Sequence, residues 1–363
     1  MQEPKKVYIG VGSNLGDRKS YIKNALRKLS EHPQIDVVRQ SQIVESPPLG
    51  IANQPDYLDT ITEVKTTLPA EDLFAFMQQI EKELDRIRNV KWAPRTIDLD
   101  LILYGNDIID MPPKLIVPHP EMHLRTFVLG GMCELNPELL HPVLKVSLIE
   151  LKHRLNGRDF FLDTERPQLI SVAGIIGVGK TTLAEKLTDA LQGQIVLEPY
   201  AENPYLPALY EGGHEYALAS QIYFLTSRTE QLAQDVLEKG KVYISDYVFE
   251  KELIYARQFL DKQQFELYHK TNTQFAFKVS AQVLTIYLQD SIQNCLERIH
   301  QRNRSFEQNI QPDFLQSLSN AYENLFDDWN ISPLIKLSLE QFDCTKSEDI
   351  DVLARQAKSY IAV

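Results

Sequence analysis

The stretch GIIGVGKTT, Gly174 to Thr182, narrows what this chain can fold into more than any other part of it. It fits the spacing G-x-x-x-x-G-K-[ST], follows the β-rich run Leu169–Ala173 and opens an amphipathic segment of helical period. Glycines at those places let the backbone curl until its N–H groups converge on phosphate oxygens. A lysine and a hydroxyl directly after them set a cation and a metal ligand beside the same phosphates, and the first turn of a helix adds its positive dipole end. Such a loop predicts a parallel sheet with helices on both faces. The remainder of this half alternates accordingly: helix 181–191, strand 194–197, helices over 215–238, strand 242–245, helical segments to about 277, strand 283–288, helices 291–302 and 312–329, strand 335–339 and a last helix.

The first half is built on another plan. A β-like run (Lys6–Val11) leads to a helix with Ile22, Ala25, Leu26 and Leu29 on one face. A strand (Asp36–Val44), a Pro-rich loop (Ser46–Pro55), a strand (Tyr57–Val64), a helix (Ala70–Leu84), a basic loop and the strand Leu99–Tyr104 follow. The order βαββαβ predicts an α+β ferredoxin-like sandwich. The polar run NGRDFFLDTERP, Asn156–Pro167, separates the two patterns, so we expect domains over 1–158 and 167–363. A chain of 363 residues suits two domains of ordinary size.

The net charge of −12 divides into −2 over residues 1–160 and −10 over 161–363. An acidic chain is a poor partner for a nucleic-acid backbone, so phosphate binding must come from local sites. No apolar run reaches 18 residues, and the N-terminus lacks the apolar core of a secretory signal, so no membrane partner is expected. Cys133, Cys295 and Cys344 are widely spaced, and we read them as reduced thiols of a cytoplasmic protein.

Within KWAPRTIDLDLILYG, Lys91 to Gly105, Asp98 and Asp100 alternate on a strand and so face one side. Two carboxylates that close are relieved by a hard divalent cation, Mg²⁺ above all. The basic run Arg86, Arg88, Lys91 and Arg95 just upstream suits a triphosphate bound between the two sets of charges. On spacing alone, the two aspartates serve equally well as the exposed face of an amphipathic strand. The wider pattern decides for the site. GSNLGDR (Gly12–Arg18), SPPLG (Ser46–Gly50), QPDYL (Gln54–Leu58), WAPRTIDLDLILYG and VPHPEMHLRTFVL (Val117–Leu129) resemble 6-hydroxymethyl-7,8-dihydropterin pyrophosphokinase over residues 5–155.

That resemblance implies transfer of the β,γ-pyrophosphoryl unit of ATP to a pterin hydroxymethyl group, with AMP released. It implies two Mg²⁺ on Asp98 and Asp100, and phosphate clamps at Arg86 and Arg95. His119 and Arg125 become nucleotide contacts, Phe127 stacks on the pterin, and Pro48, Leu49, Tyr57 and Asp59 line its slot. Asp59 stands where the family usually has Asn, and an ionised aspartate accepts hydrogen bonds but donates none. Asp85 and Ala93 stand where glycines are usual.

In the second half the loop is followed by Glu198-Pro199, Asn203-Pro204-Tyr205-Leu206, Tyr210-Glu211, Gln221, Arg228, Asp246-Tyr247 and the cluster Arg298, Arg302, Arg304 and Glu307. In order and spacing this series resembles the deoxynucleoside kinases. The resemblance implies an ATP site at Gly174, Gly177, Gly179, Lys180, Thr181 and Thr182, with one Mg²⁺ on Thr181. Glu198 becomes the general base for the sugar 5′-hydroxyl, Gln221 reads the base edge with Arg228 in support, and Tyr210 and Glu307 hold the 3′-hydroxyl. Arg298, Arg302 and Arg304 form a lid over the transferred phosphoryl group. Many members have an acid-Arg-Ser triplet where this chain has Asp246-Tyr247-Val248; the acid is kept and the arginine is missing. The Asp-Tyr form is similar to the bacterial purine deoxynucleoside kinases, with deoxyadenosine first. Glu252 falls where relatives place a base-contacting aspartate, and a homodimer through this half is implied. A second reading keeps the kinase active and makes the first half a degenerate pterin-binding module.

Overall fold

The computed structural model describes residues 3–49, 54–87 and 93–362. The chain divides into two compact units, Met1–Phe161 and Leu162–Val363.

In the first unit the elements are β1 (Lys5–Ser13), α1 (Arg18–Glu31), β2 (Ile35–Gln40), β3 (Val44–Ser46), β4 (Tyr57–Thr66), α2 (Ala70–Glu83), β5 (Asp98–Tyr104), β6 (Ile109–Met111), β7 (Leu115–Val117), α3 (Thr126–Leu135) and α4 (Leu148–Leu155). One antiparallel sheet runs β2-β4-β1-β5, with β3 also on β4. This is the split βαββαβ arrangement. Alternation along β1 feeds two cores: Val7, Ile9 and Val11 pack with α1 and α2, while Tyr8 joins the cluster beneath α3 and α4. The expected strand 36–44 is two strands instead. Ser41 turns inward, its N–H donating to the Ile61 carbonyl at 2.9 Å and its Oγ accepting from Ile61 N–H at 2.9 Å.

The second unit carries β8 (Gln168–Ala173), α5 (Lys180–Leu191), β9 (Gln194–Val196), α6 (Leu206–Tyr210), α7 (Ala217–Gln231), β10 (Val242–Ser245), α8 (Glu252–Phe259), α9 (Lys262–Ala276), β11 (Leu284–Gln289), α10 (Ile292–Arg302), α11 (Pro312–Asp327), β12 (Leu334–Ser338) and α12 (Ser347–Lys358). Its five-stranded sheet is parallel in the order β12-β11-β8-β10-β9. The strand order reverses at β8, so a crevice opens at the carboxyl ends of β8 and its neighbours, where ligands bind in such sheets. The helical run expected to reach 238 ends at Gln231. Beyond it the backbone pairs with a later segment, Gln234 N–H donating to the Lys278 carbonyl at 2.9 Å. Among the described residues no helix is long and apolar enough to cross a membrane.

Candidate active sites

In the first unit, register alone assembles a cluster of carboxylates. On one side of β1, Gly12 lies opposite Asp98 and Gly10 opposite Asp100; on the other, Gly12 lies opposite Asp59. Side chains of paired residues share a face, so Asp59, Asp98 and Asp100 lie on one face of the sheet, above two residues that have no side chain. A cavity of about 650 Å³ opens there, walled also by Leu49, Tyr57, Arg95, Arg125 and Phe127. Pro47, not Pro48, lines it. Arg88, Lys91 and Trp92 lie outside the described residues.

Arg86 donates to both Glu81 and Asp98, and Arg95 donates to the other oxygen of Asp98 at 2.5 Å. Burial, and then the neighbouring Asp100, push the Asp98 carboxyl upward. Asp98 and Asp100 offer carboxylate oxygens, the donor type that a hard cation takes. Among the described residues no group of three or more His, Cys, Asp or Glu gathers for a metal. A cation here would take its other ligands from phosphate and water, as Mg²⁺ commonly does.

Asp59 is buried, and Ser46 Oγ donates to its Oδ2 at 2.5 Å. Burial pushes its carboxyl up to about 7, with Asp98 and Asp100 adding to the effect and Ser46 opposing it. Near neutral pH a protonated fraction exists, and a protonated carboxyl both accepts and donates. His119 is pushed down to about 4 by burial, helped by Arg125. Its Nδ1 accepts from Glu121 N–H at 3.2 Å, which leaves Nε2 as the protonated nitrogen. His119 is not part of the cavity wall, whereas Arg125, paired to Glu121 at 2.5 Å, is.

Sequence reasoning passed over two residues here. Glu81 is buried on the inner face of α2, four residues after Met77 in the row of Leu73 and Met77. A carboxylate at an apolar position of that row was the available signal. It accepts from Leu99 N–H at 2.8 Å and holds Arg86. Asn14, also buried, accepts from Arg95 N–H at 2.7 Å and donates to the Pro55 carbonyl at 3.2 Å, tying together the segments on either side of the cavity.

In the second unit the functional side chains stand at the carboxyl ends of successive strands. The loop after β8 turns through Gly174, Gly177 and Gly179, all at positive φ. At Gly177, with φ +81°, a Cβ would stand 2.4 Å from the Cys295 carbonyl oxygen, so only glycine fits. Lys180 Nζ donates to the Ile175 carbonyl at 2.9 Å. Asp246, at the end of β10, accepts from Thr181 Oγ1 at 2.6 Å and from Glu198 N–H at 2.8 Å, joining three strand ends. Thr182 follows within the first turn of α5.

A cavity of about 730 Å³ lies over these groups. Glu198, Tyr210, Gln221, Arg228, Arg302, Arg304 and Glu307 all border it. Burial works against ionising Glu198, but Lys251 and Arg228 outweigh it and hold the carboxyl well below the usual range. Gln221 is 2% exposed, and its Oε1 is buried with no hydrogen-bond partner among the described residues. Arg304 lies over the Tyr200 ring, 3.7 Å from its centroid, and Arg302 and Arg304 both donate to Glu307.

Two expected members stand apart. Arg298 is absent from the cavity wall, because its guanidinium is tied to Asp290 and to the Gly177 carbonyl. Glu252 is fully buried behind Arg228, one oxygen taken by that guanidinium and the other by the Tyr268 hydroxyl. It does not line the cavity either. Lys251, which sequence reasoning did not single out, does.

The family model of 7,8-dihydro-6-hydroxymethylpterin-pyrophosphokinase matches residues 8–137, and that of deoxynucleoside kinase matches residues 170–362. The 2-amino-4-hydroxy-6-hydroxymethyldihydropteridine pyrophosphokinase of Bacillus subtilis is 43% identical over 128 residues, 35% of this chain and 76% of that protein. The enzyme of the same name from Aquifex aeolicus is 38% identical over 146 residues, 40% of this chain and 89% of that protein. Among solved structures, deoxyadenosine kinase from M. mycoides with dCMP and dCDP bound is 26% identical, at a TM-score of 0.46 over 53% of this chain and 99% of that one. The same kinase with bound dATP is 25% identical, at a TM-score of 0.47 over 53% of this chain and all of that one.

Proposed function

The chain belongs to the hydroxymethyldihydropterin pyrophosphokinase family through its first half and to the deoxynucleoside kinase family through its second, both ATP- and Mg²⁺-dependent, and on that premise we propose one polypeptide with two separate phosphotransfer reactions. The first site passes the β,γ-pyrophosphoryl group of ATP to 6-hydroxymethyl-7,8-dihydropterin and releases AMP, a step of folate synthesis. The second phosphorylates the 5′-hydroxyl of deoxyadenosine and releases ADP, a salvage reaction. The observation that carries this reading is that each unit encloses its own cavity in which cations and carboxylates meet beside an aromatic or amide group suited to a flat heterocycle.

At the first site the pterin ring lies on Phe127, with its amide edge on Asp59 and with Leu49 and Tyr57 at its sides. Asp98 and Asp100 would hold the metal, two ions in our reading, and Mg²⁺ would there offset charge on the triphosphate. Arg86 and Arg95, both on Asp98, have a cation to exchange for a phosphate when ATP enters. Arg125 and the neutral His119 add donors for the nucleotide.

At the second site the loop amides, Lys180 and Thr182 bind the ATP phosphates, and Thr181 would hold Mg²⁺. Glu198 orients the 5′-hydroxyl and takes its proton, while Arg302 and Arg304 leave Glu307 for the moving phosphoryl group. Tyr210 and Glu307 take the 3′-hydroxyl. The orphaned Gln221 Oε1 favours adenine. Its 6-amino group donates where the amide needs a donor, and a ring nitrogen accepts from Nε2. Guanine presents acceptors on that edge, and Arg228, the cation that would meet them, is committed to Glu198 and Glu252. We place the enzyme in the cytoplasm, in keeping with its three free cysteines, and expect the second unit to form a homodimer.

The test is a substrate panel with Mg-ATP. Deoxyadenosine should give ADP faster than deoxyguanosine or deoxycytidine, and the hydroxymethyl dihydropterin should give AMP. A chain that forms ADP but no AMP would reduce the first unit to a pterin-binding module.

A further inference from the structure

We propose that Lys251 takes part in the second site's reaction, its ammonium fixing the carboxylate of Glu198 and presenting its remaining N–H donors to the 5′-oxygen under transfer. The inference rests on the nucleoside kinase reading and adds a residue to it. Lys251 ends a single turn of 3₁₀ helix, Phe249–Lys251, just before α8. Its side chain is 3% exposed, and Nζ lies 2.6 Å from Glu198 Oε1. A lysine buried that deeply is rare unless its charge is answered. Here one carboxylate oxygen answers it, with the rings of Tyr247 and Tyr255 at 5.6 Å and 5.5 Å.

The stoichiometry of donors and acceptors assigns the role. An ammonium has three donors. Among the described residues Lys251 spends one of them, on Glu198, and it borders the cavity. Arg228 holds the same carboxylate but is itself tied back to Glu252, whose other oxygen is committed to Tyr268. Both cations grip Glu198 through Oε1. Oε2 has no hydrogen bond among the described residues and is left for the incoming hydroxyl. As the 5′-oxygen bonds to the γ-phosphorus, the bond from that phosphorus to ADP breaks and its electron pair leaves on ADP. The hydroxyl proton passes to Glu198 Oε2. Lys251 stands beside the oxygen that gains a bond and the carboxylate that takes the proton, so it orders both without consuming a proton itself.

The experiment compares Lys251→Met, Lys251→Arg, Glu198→Gln and the double variant Glu198→Gln/Lys251→Met in the full chain, using the deoxynucleoside that the unaltered chain turns over fastest. Lys251→Met should lower kcat about 100-fold, the scale of removing one oriented donor, with the nucleoside KM moved less than about threefold. Lys251→Arg, which keeps the charge and most of the packing, should recover kcat to within about tenfold of the unaltered chain. The double variant should be no slower than Glu198→Gln alone, because the two groups act as one unit. A kcat for Lys251→Met within threefold of the unaltered chain overturns the proposal, as does a loss confined to KM or a double variant whose defects multiply. Should Lys251→Met fail to fold, judged by its thermal unfolding, Lys251→Arg decides: recovery supports the role, and a 100-fold loss overturns it. An unaltered chain that forms no ADP from any deoxynucleoside removes the kinase reading itself and the proposal with it.

Discussion

The carboxylate of Asp59 fills the space that a side chain at position 12 would need: a Cβ on Gly12 would stand 2.5 Å from Asp59 Oδ1. The two residues are partners in the β1–β4 ladder, so neither can move off without disturbing the sheet. Gly12→Ala should therefore swing Asp59 off its Ser46 bond and out of the pterin slot. We expect the pterin KM for AMP formation to rise about tenfold, the value of one displaced hydrogen bond to a charged group, with ADP formation unchanged. An unchanged pterin KM would take Asp59 out of the pterin contact.

Asp85 adopts φ +62°, in the left-handed region where a Cβ costs about 1 kcal/mol or more. The position resembles one where glycine is usual, and the backbone keeps the glycine conformation although the residue has changed. Asp85→Gly should leave the fold intact and stabilise the first unit by up to about 1 kcal/mol, the relieved strain being partly offset by unfolded-state entropy. Urea unfolding followed through AMP-forming activity measures it. A destabilised variant would mean that the Asp85 side chain makes a compensating contact.

His141 is 4% exposed, and its Nδ1 accepts from the N–H groups of Val143 and Leu144. Burial pushes it down to about 3, with His123 and Lys145 adding to the effect. The unfolded chain takes up the proton near pH 6.5 and the folded one does not. The stability it lends is thus present above pH 6.5 and is lost as pH falls toward 3, at about 1.4 kcal/mol per unit. Between pH 6.5 and 5 the first unit should weaken by roughly 2 kcal/mol. His141→Asn, which keeps an acceptor without a titrating ring, should flatten that limb. Parallel pH profiles for both proteins would contradict the assignment.

Gln221 carries a buried acceptor that has no partner among the described residues, and it borders the cavity of the second unit. Gln221→Leu removes that acceptor at similar shape and should leave stability unchanged or raise it by about 1 kcal/mol. The same change should raise the deoxyadenosine KM at least tenfold, since a site built to pair a polar edge loses it. Stability and affinity moving in opposite directions is the signature. A stability loss with an unchanged KM would make Gln221 a core residue.

Much of this molecule can be read from residue order, and the exceptions have physical reasons. The glycine spacing of Gly174–Thr182 and the alternation of Asp98 and Asp100 are local, so strand, loop and helix follow from them. α3 is hidden because Gly130 and Gly131 are weak helix formers. Yet Gly131 is what lets the helix lie on the sheet, since a Cβ there would stand 2.6 Å from Ile61. Lys251, five positions after Asp246, places its ammonium on a carboxylate 53 positions earlier in the chain. Nothing in its neighbours marks it, because the contact is made by the parallel order β9-β10 and not by spacing. Arg298 shares its helix with Arg302, but only the fold tells which of them faces the P-loop carbonyl and which the cavity.

The most direct test of the central claim, two independent phosphotransfer sites in one chain, is to resolve ADP from AMP for Gly177→Ala and Arg95→Ala with both acceptors and Mg-ATP present. Gly177→Ala cannot keep its loop against the Cys295 carbonyl, so ADP formation should fall at least 100-fold while AMP formation continues. Arg95→Ala should do the reverse. Loss of both products from either change would contradict independent sites, and AMP formation that survives Arg95→Ala would contradict the first site as drawn.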